Sequence, residues 1–208
     1  NVGDADLTYE IVVSENADGP NFSNGLRAMG WNGYGQLGDG TKTRRTIPVQ
    51  VEDKAIKEVA AGFGHSLFLK EDGSMWAMGR NSYGQLGDGT RTQRTKPVKV
   101  VNGGVHAVAA GGSHSLFLKE DGSLWAMGKN QDGQLGDGTR TQRTKPVQVV
   151  NGGVKAVTAG LNHSLFLKGD GSLWAMGRNS VGQLGDGTRT NRTKPVQVVA
   201  EGVSEIDA

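Results

Sequence analysis

Gly35-Gln36-Leu37-Gly38-Asp39-Gly40-Thr41 decides the fold, because the chain repeats this stretch at a fixed spacing. The same seven residues begin again at Gly84, Gly133 and Gly182, so the period is 49 residues and no insertion interrupts it. The units 61–109 and 110–158 differ at only nine of 49 positions. Copies this similar fold alike, so we expect a tandem array of one structural unit.

Four short segments of each unit have the composition of β-strands. In one unit they are the apolar or β-branched segments Val105–Ala110, His114–Lys119, Leu124–Met127 and Pro146–Val150. The pair Asp121-Gly122 between the second and third segments tolerates positive φ and predicts an antiparallel hairpin. No segment combines helix caps with a 3.6-residue apolar stripe, so helix is expected to be nearly absent.

The strands carry apolar side chains on both faces. Leu116 and Phe117 are adjacent on one strand and therefore point to opposite sides, as do Leu124 and Trp125 on the next. A sheet that is apolar on both sides must be covered on both sides. Face-to-face stacking of successive four-stranded sheets, as blades of a propeller, satisfies this requirement.

The unit resembles the repeat of the regulator of chromosome condensation family. Its hallmarks occur here as Ala61-Gly62 with His65-Ser66, as Trp76 with Gly79, and as Gly84–Gly87, and they recur at 49-residue intervals. The likeness covers residues 26–208, and the uniform copies are of a bacterial type. The resemblance implies a seven-bladed propeller built from repeats of about this length, of which this chain carries four.

We therefore predict an all-β fold of four blades, each with four antiparallel strands. It would be an arc of a larger propeller, or a ring closed by the terminal strands or between chains. The predicted repeats are residues 26–60, 61–109, 110–158 and 159–208.

Residues 1–25 have two interpretations. In the first, Leu7–Val13 is the second strand of the first blade, and Val203–Ala208 supplies the missing strand across the seam. In the second, residues 1–25 are the tail of a preceding immunoglobulin-like module.

The composition limits the function classes. The 23 Lys and Arg residues nearly balance the 21 Asp and Glu residues, so bulk charge does not indicate nucleic-acid binding. There is no cysteine, which rules out disulfides and thiol chemistry, and no apolar stretch approaches the length that inserts into a membrane.

Several motifs are better explained by structure than by chemistry. Gly33–Gly38 matches G-x-G-x-x-G but lacks a strand-to-helix context and is not repeated in the sister copies. His65 and its equivalents would lie about 10 Å apart in stacked sheets, too far to share a metal ion. Asp39 and its equivalents are expected to cap turns, and His65 and Ser66 are adjacent on a strand and cannot form a nucleophile–base pair. We therefore predict no catalytic residue, cofactor or metal.

A stripe of lysines and arginines, here called the basic rim, lies in the long loop of every unit. It holds 12 of the 23 basic residues. It could attract a nucleic acid or another polyanion, although charged loops also keep such sheets soluble and separate. The residues expected to make such contacts are Arg44, Arg45, Arg94, Arg143 and Arg192.

The copies differ most at two short pairs per unit, one after Ala-Gly and one before Gly-Gln-Leu-Gly. Both pairs fall in connections between strands, where function concentrates, and several are aromatic or apolar residues typical of interface anchors. The alternative is neutral drift, which predicts scattered small polar residues. The partner-binding residues predicted from these pairs and the neighbouring Trp31 are Trp31, Tyr34, Phe63, Tyr83, Ser113, Gln131, Asp132, Leu161, Asn162 and Val181.

These features favour a non-enzymatic binding module of a larger bacterial protein, extracellular or at the cell surface, with a protein as its partner. One alternative is a structural or fibre subunit that self-associates through its terminal strands. The other, implied by the resemblance, is a guanine-nucleotide-exchange regulator of a small GTPase. The uniform copies lack the inserted wedge that would mark such a regulator.

Overall fold

The computed structural model describes residues 9–13, 25–53 and 55–208, and they form strands and turns without a helix. No helix able to cross a membrane therefore occurs among them. The first sheet contains β1 (Tyr9–Val13), β2 (Leu26–Gly30) and β3 (Arg45–Glu52). The second sheet comprises β4 (Ile56–Ala61), β5 (His65–Lys70), β6 (Met75–Gly79) and β7 (Arg94–Val101). The third comprises β8 (Val105–Ala110), β9 (His114–Lys119), β10 (Leu124–Gly128) and β11 (Arg143–Val150), and the fourth β12 (Val154–Ala159), β13 (His163–Lys168), β14 (Leu173–Gly177) and β15 (Arg192–Val199).

Within each sheet the strands pair antiparallel in chain order. The predicted strands 105–110 and 114–119 are confirmed at their bounds, and the Asp121-Gly122 turn joins an antiparallel pair in which Phe117 faces Trp125. The last strand begins at Arg143, three residues before the predicted start, because Arg143 pairs with Gly128.

Successive sheets bury their apolar faces against each other. Phe117 stacks on Trp125 with ring centroids 6.2 Å apart, and both pack with Leu67 and Met75 of the preceding sheet. The opposite face of the same sheet, which includes Leu116, packs on Phe166 and Trp174 of the next. The predicted all-β fold of stacked propeller blades is confirmed.

The first blade and the C-terminal segment differ from the prediction. The first sheet has three strands among the described residues, one fewer than the other three sheets. Tyr9–Val13 pairs with β2, whereas the rest of 1–24, including the immunoglobulin-like interpretation of the first residues, lies outside the described residues.

Val203–Ala208 forms no strand, so the prediction that it closes the first sheet is wrong. Val203 N–H donates to the Gly171 carbonyl at 3.1 Å, the bond that Val154 makes to Gly122 at the start of β12. The segment thus starts like a blade's first strand. Among the described residues it pairs with no strand of the first sheet.

Candidate binding face

Both variable pairs of each repeat lie at the same end of its sheet. One pair is in the β4–β5 connection and the other in the β6–β7 connection, and three successive antiparallel strands bring these two connections to one edge. A backbone bond joins them in the second, third and fourth blades, where the N–H groups of Arg80, Lys129 and Arg178 donate to carbonyls of the first connection at 2.8–2.9 Å.

A continuous series of side-chain contacts runs across this end of the sheets from blade to blade. The rings of Trp31 and Tyr34 meet edge to face with centroids 5.0 Å apart. The Arg80 guanidinium lies 5.0 Å from the Tyr34 ring and 5.7 Å from the Tyr83 ring. Lys129 Nζ lies 6.0 Å from the Tyr83 ring.

Lys129 Nζ also donates to Asn162 Oδ1 at 3.0 Å, which extends the contacts to the fourth blade. The neighbouring Phe63 and Leu161 are large apolar side chains that remain 45% and 63% exposed. We call this surface the loop face; its members are Trp31, Tyr34, Phe63, Arg80, Tyr83, Ser113, Lys129, Leu161 and Asn162.

Three of the predicted partner-binding residues do not take part in this series of contacts. The Gln131 carbonyl accepts a bond from Arg140, and Asp132 accepts one from Asn191 at 3.1 Å, so these two residues are tied to the adjacent long loops. Val181 is 75% exposed on the fourth blade. All three lie at the same end of the sheets as the other predicted residues.

The cations of the loop face were not among the residues predicted from the sequence. Arg80, Lys129 and Arg178 directly follow the glycine that ends the third strand of a blade, and Trp31 holds this position in the first repeat. Comparing that single position across the four copies would have revealed a variable column with three basic residues.

One arginine of the basic rim in each repeat is paired within that repeat. Arg45, Arg94, Arg143 and Arg192 each bind the aspartate of the same repeat's glycine turn at 2.6–2.7 Å. Arg44 is exposed. An anion at any of these four paired arginines would have to compete with an existing carboxylate partner.

A buried asparagine organises each of these loops. Asn130 Nδ2 donates to Asp137 Oδ1 at 2.9 Å and to the carbonyls of Thr139 and Thr141 at 3.1 Å, while its Oδ1 accepts the Leu135 N–H at 3.0 Å. Its equivalents Asn32, Asn81 and Asn179 donate to the aspartates of their own repeats in the same way. The identity of this asparagine in all four copies was the available signal.

The aspartates cap their turns, as predicted. Asp137 Oδ1 accepts the backbone N–H of Thr139 at 2.9 Å and its hydroxyl at 2.7 Å. Burial alone would raise the pKa of Asp137, but the hydrogen bonds from Thr139, Arg143 and Asn130 outweigh it and lower the pKa below its ordinary value. The carboxylate is therefore held ionised. Among the described residues, no group of His, Asp or Glu has the arrangement of a metal site.

The histidines connect neighbouring blades. His65 Nε2 lies 2.9 Å from the hydroxyl of Ser115, one blade along, and His114 makes the same contact with Ser164. The serine hydroxyl donates its only proton to a main-chain oxygen, that of Gln85 for Ser115, at 2.7 Å. The histidine must therefore donate from Nε2.

The adjacent His65 and Ser66 were predicted not to form a nucleophile–base pair, and the contact that the structure shows instead joins His65 to Ser115 of the next blade. A histidine that donates to the serine does not act as its base, and both side chains are fully buried. Burial lowers the pKa of His65 to about 4 and that of His114 to about 3, so both stay neutral in the folded protein.

Stacked antiparallel blades with a 49-residue repeat define a β-propeller-type repeat protein. The RCC1-like domain family model matches residues 23–208, and the chain belongs to this family. Proteins of this kind are binding or exchange-factor modules. No significant match occurs among curated protein sequences.

Solved structures show the same fold. Human WBSCR16 is 28% identical with a TM-score of 0.70, over 83% of this chain and 47% of that one. Prp20p from Saccharomyces cerevisiae, described with its binding properties to Gsp1p and histones, is 24% identical with a TM-score of 0.75, over 85% of this chain and 47% of that one. Yeast RCC1 (Prp20), in a structure with Kap60 bound, is 24% identical with a TM-score of 0.74, over 85% of this chain and 45% of that one. This chain thus spans about half the length of these relatives.

Proposed function

We propose that the chain is a non-enzymatic protein-binding module that holds its partner at the loop face. The observation that carries the proposal is the clustering there of residues that differ between otherwise near-identical blades. Phe63 and Leu161 remain 45% and 63% exposed on a rigid scaffold, as expected of interface anchors.

The relatives support a protein as the partner. The structure of yeast RCC1 (Prp20) was determined with Kap60 bound, and Prp20p is described with its binding properties to Gsp1p and histones. A GTPase-directed exchange activity would require a partner-specific feature beyond the shared fold. The loop face is our candidate for the surface of this chain that binds a partner protein.

The proposal is tested by panning a displayed library of natural protein fragments on the chain. The double variant Phe63→Asp/Leu161→Asp changes the exposed anchors, and Ile47→Asp is the matched control because Ile47 is 71% exposed on β3. We expect fragments retained by wild type and Ile47→Asp but lost on the double variant, with equal thermal unfolding of all three proteins. Fragments retained equally by all three, or no retained fragment, would contradict the proposal.

A second function, assembly through the fourth blade, has its own support. The face of that blade pointing away from the third leaves Leu165 and Leu173 partly exposed, whereas the equivalent Leu116 and Leu124 are fully buried by the next blade. Light scattering over a concentration series tests it: a mass that rises with concentration supports assembly, and a constant monomer mass rejects it.

A further inference from the structure

The loop face contains a cleft of about 330 Å³ that spans three blades. Phe63 and Leu161 line it from the second and fourth blades, with Gly112 and Ser113 of the third blade between them. This volume falls in the range of pockets that receive a ligand group.

The cleft exists because the third blade has glycine where its neighbours have large side chains. Phe63, Gly112 and Leu161 are equivalent positions of consecutive repeats. Gly112 N–H donates to the Leu161 carbonyl at 3.2 Å, and a Cβ on Gly112 would meet Leu161 Cδ1 at 2.6 Å. A larger residue would fill the space between the two apolar side chains.

Two cations line the same cleft, and none of the described residues that line it is a carboxylate. Arg80 is oriented by its contacts with Tyr34 and Tyr83 and by the bond from its Nε to Ser82 at 2.9 Å. Lys129 is oriented by Asn162. Among the described residues neither has an ion-pair partner, in contrast to the four paired arginines of the rim.

The aromatic rings do not favour a nucleic acid. A single-stranded nucleic acid stacks its successive bases on several aromatic rings. The rings of Tyr34 and Tyr83 carry Arg80 and Lys129 instead, and Phe63 is the one aromatic residue among the described residues that line the cleft. Apolar walls with oriented cations match a protein segment that carries both apolar and acidic groups.

We propose that the cleft binds an acidic protein segment whose aliphatic or aromatic side chain enters between Phe63 and Leu161 while flanking aspartate or glutamate side chains pair with Arg80 and Lys129. The inference rests on the proposed function and names the chemistry of its partner. Arg80 can present its Nη atoms to a carboxylate because Ser82 occupies only its Nε.

A phage-displayed random-peptide library tests the inference. Wild type should enrich peptides in which Asp or Glu flanks a Phe, Leu or similar residue, and Arg80→Glu/Lys129→Glu should not. Arg178→Glu is the matched control because Arg178 holds the equivalent position and its Nε makes the same 2.9 Å bond, to Ser180, but it does not line the cleft. Equal thermal unfolding shows that the variants remain folded.

Fluorescence anisotropy with the enriched consensus peptide measures how much each substitution weakens peptide binding. Arg80→Glu should weaken binding by about tenfold or more and Arg178→Glu by about twofold or less, since a removed partner of a charged pair at an interface costs at least about tenfold. Replacing the acidic residues of the peptide by Lys, or its apolar residue by Ser, should abolish binding.

Three results would overturn the inference: enrichment of neutral or basic peptides or of none, an equal loss with Arg178→Glu, or tighter binding of a single-stranded RNA than of the consensus peptide. If the binding of library fragments requires Phe63 and Leu161 but the bound fragments are not acidic, the proposed function stands and this inference fails. If no fragment requires Phe63 and Leu161 for binding, both the proposed function and this inference fail.

Discussion

The basic rim and the loop face carry similar cations, yet the structure uses them differently. Arg143 of the rim binds the nearly buried carboxylate of Asp137 at 2.6 Å, and the other three copies repeat the pair. Lys129 and Arg80 of the loop face rest on tyrosine rings and have no carboxylate partner among the described residues. The shared pair of Arg143 and Asp137 therefore holds the scaffold together, whereas the cations at the variable position, Arg80 and Lys129, are left available to a partner.

The largest effect is expected from removing the asparagine that organises a rim loop. Asn130→Ala leaves the Leu135 N–H and the oxygens around it without their buried partner. We expect a loss of roughly 3–5 kcal/mol in the free energy of unfolding, measured by urea denaturation. Gln131→Ala, at the exposed neighbouring residue, is the control and should change little; comparable losses would mean that Asn130 does not organise the loop.

Acid should act on the scaffold through its buried histidines. The folded-state pKa of His114 is about 3, below the ordinary value near 6.5, so the unfolded chain binds the proton more tightly. The contribution of each such histidine to the free energy of unfolding is therefore fully present above pH 6.5 and is lost as the pH decreases, by about 3 kcal/mol per histidine at pH 4.

Denaturation of His114→Gln at several pH values checks this expectation. Glutamine can still donate to Ser164, but it does not titrate, so the variant should have a flatter pH dependence between 6.5 and 4. His106→Gln, at an exposed position, should follow wild type. An unchanged slope in His114→Gln would contradict the account.

A smaller effect is expected from breaking one rim ion pair. Arg143→Ala removes a charged partner of Asp137, whose remaining bonds to Thr139 and Asn130 persist. We expect a loss of about 1–2 kcal/mol of stability with no change in peptide binding. A loss of binding with unchanged stability would reverse the assignment of rim and loop face.

The smallest stability effect is expected on the loop face itself. Lys129→Ala should stay within about 0.5 kcal/mol of wild type because it removes only a partly exposed bond to Asn162. The same variant should weaken binding of the partner. A larger destabilisation than Arg143→Ala causes would make Lys129 part of the scaffold.

Much of the fold was predictable from the sequence because local patterns decide it. The short apolar run in His114–Lys119, the apolar segment that begins at Leu124 and the Asp121-Gly122 turn between them predict a hairpin without help from the rest of the chain. The start of β11 at Arg143 was not predictable, since polar residues there join the sheet only by pairing with Gly128. Val203–Ala208 has a strand-like sequence but pairs with no strand among the described residues, and a strand needs a partner.

The site was predictable only in part. Differences between copies indicated Phe63 and Leu161, but the cleft between them depends on how blades stack. The contact from His65 to Ser115 likewise joins residues 50 positions apart, a separation of one repeat plus one residue. Within one strand the two side chains diverge, so only the stacked structure brings them together.

Hydrogen–deuterium exchange of the chain with and without a partner selected in the fragment library tests the central claim most directly. The account predicts slower exchange in the segments that build the loop face, around residues 62–64, 80–83, 111–113, 129–130 and 161–162. Protection confined to the rim loops around 90–93 and 139–142, or to the uncovered side of the fourth blade, would contradict it.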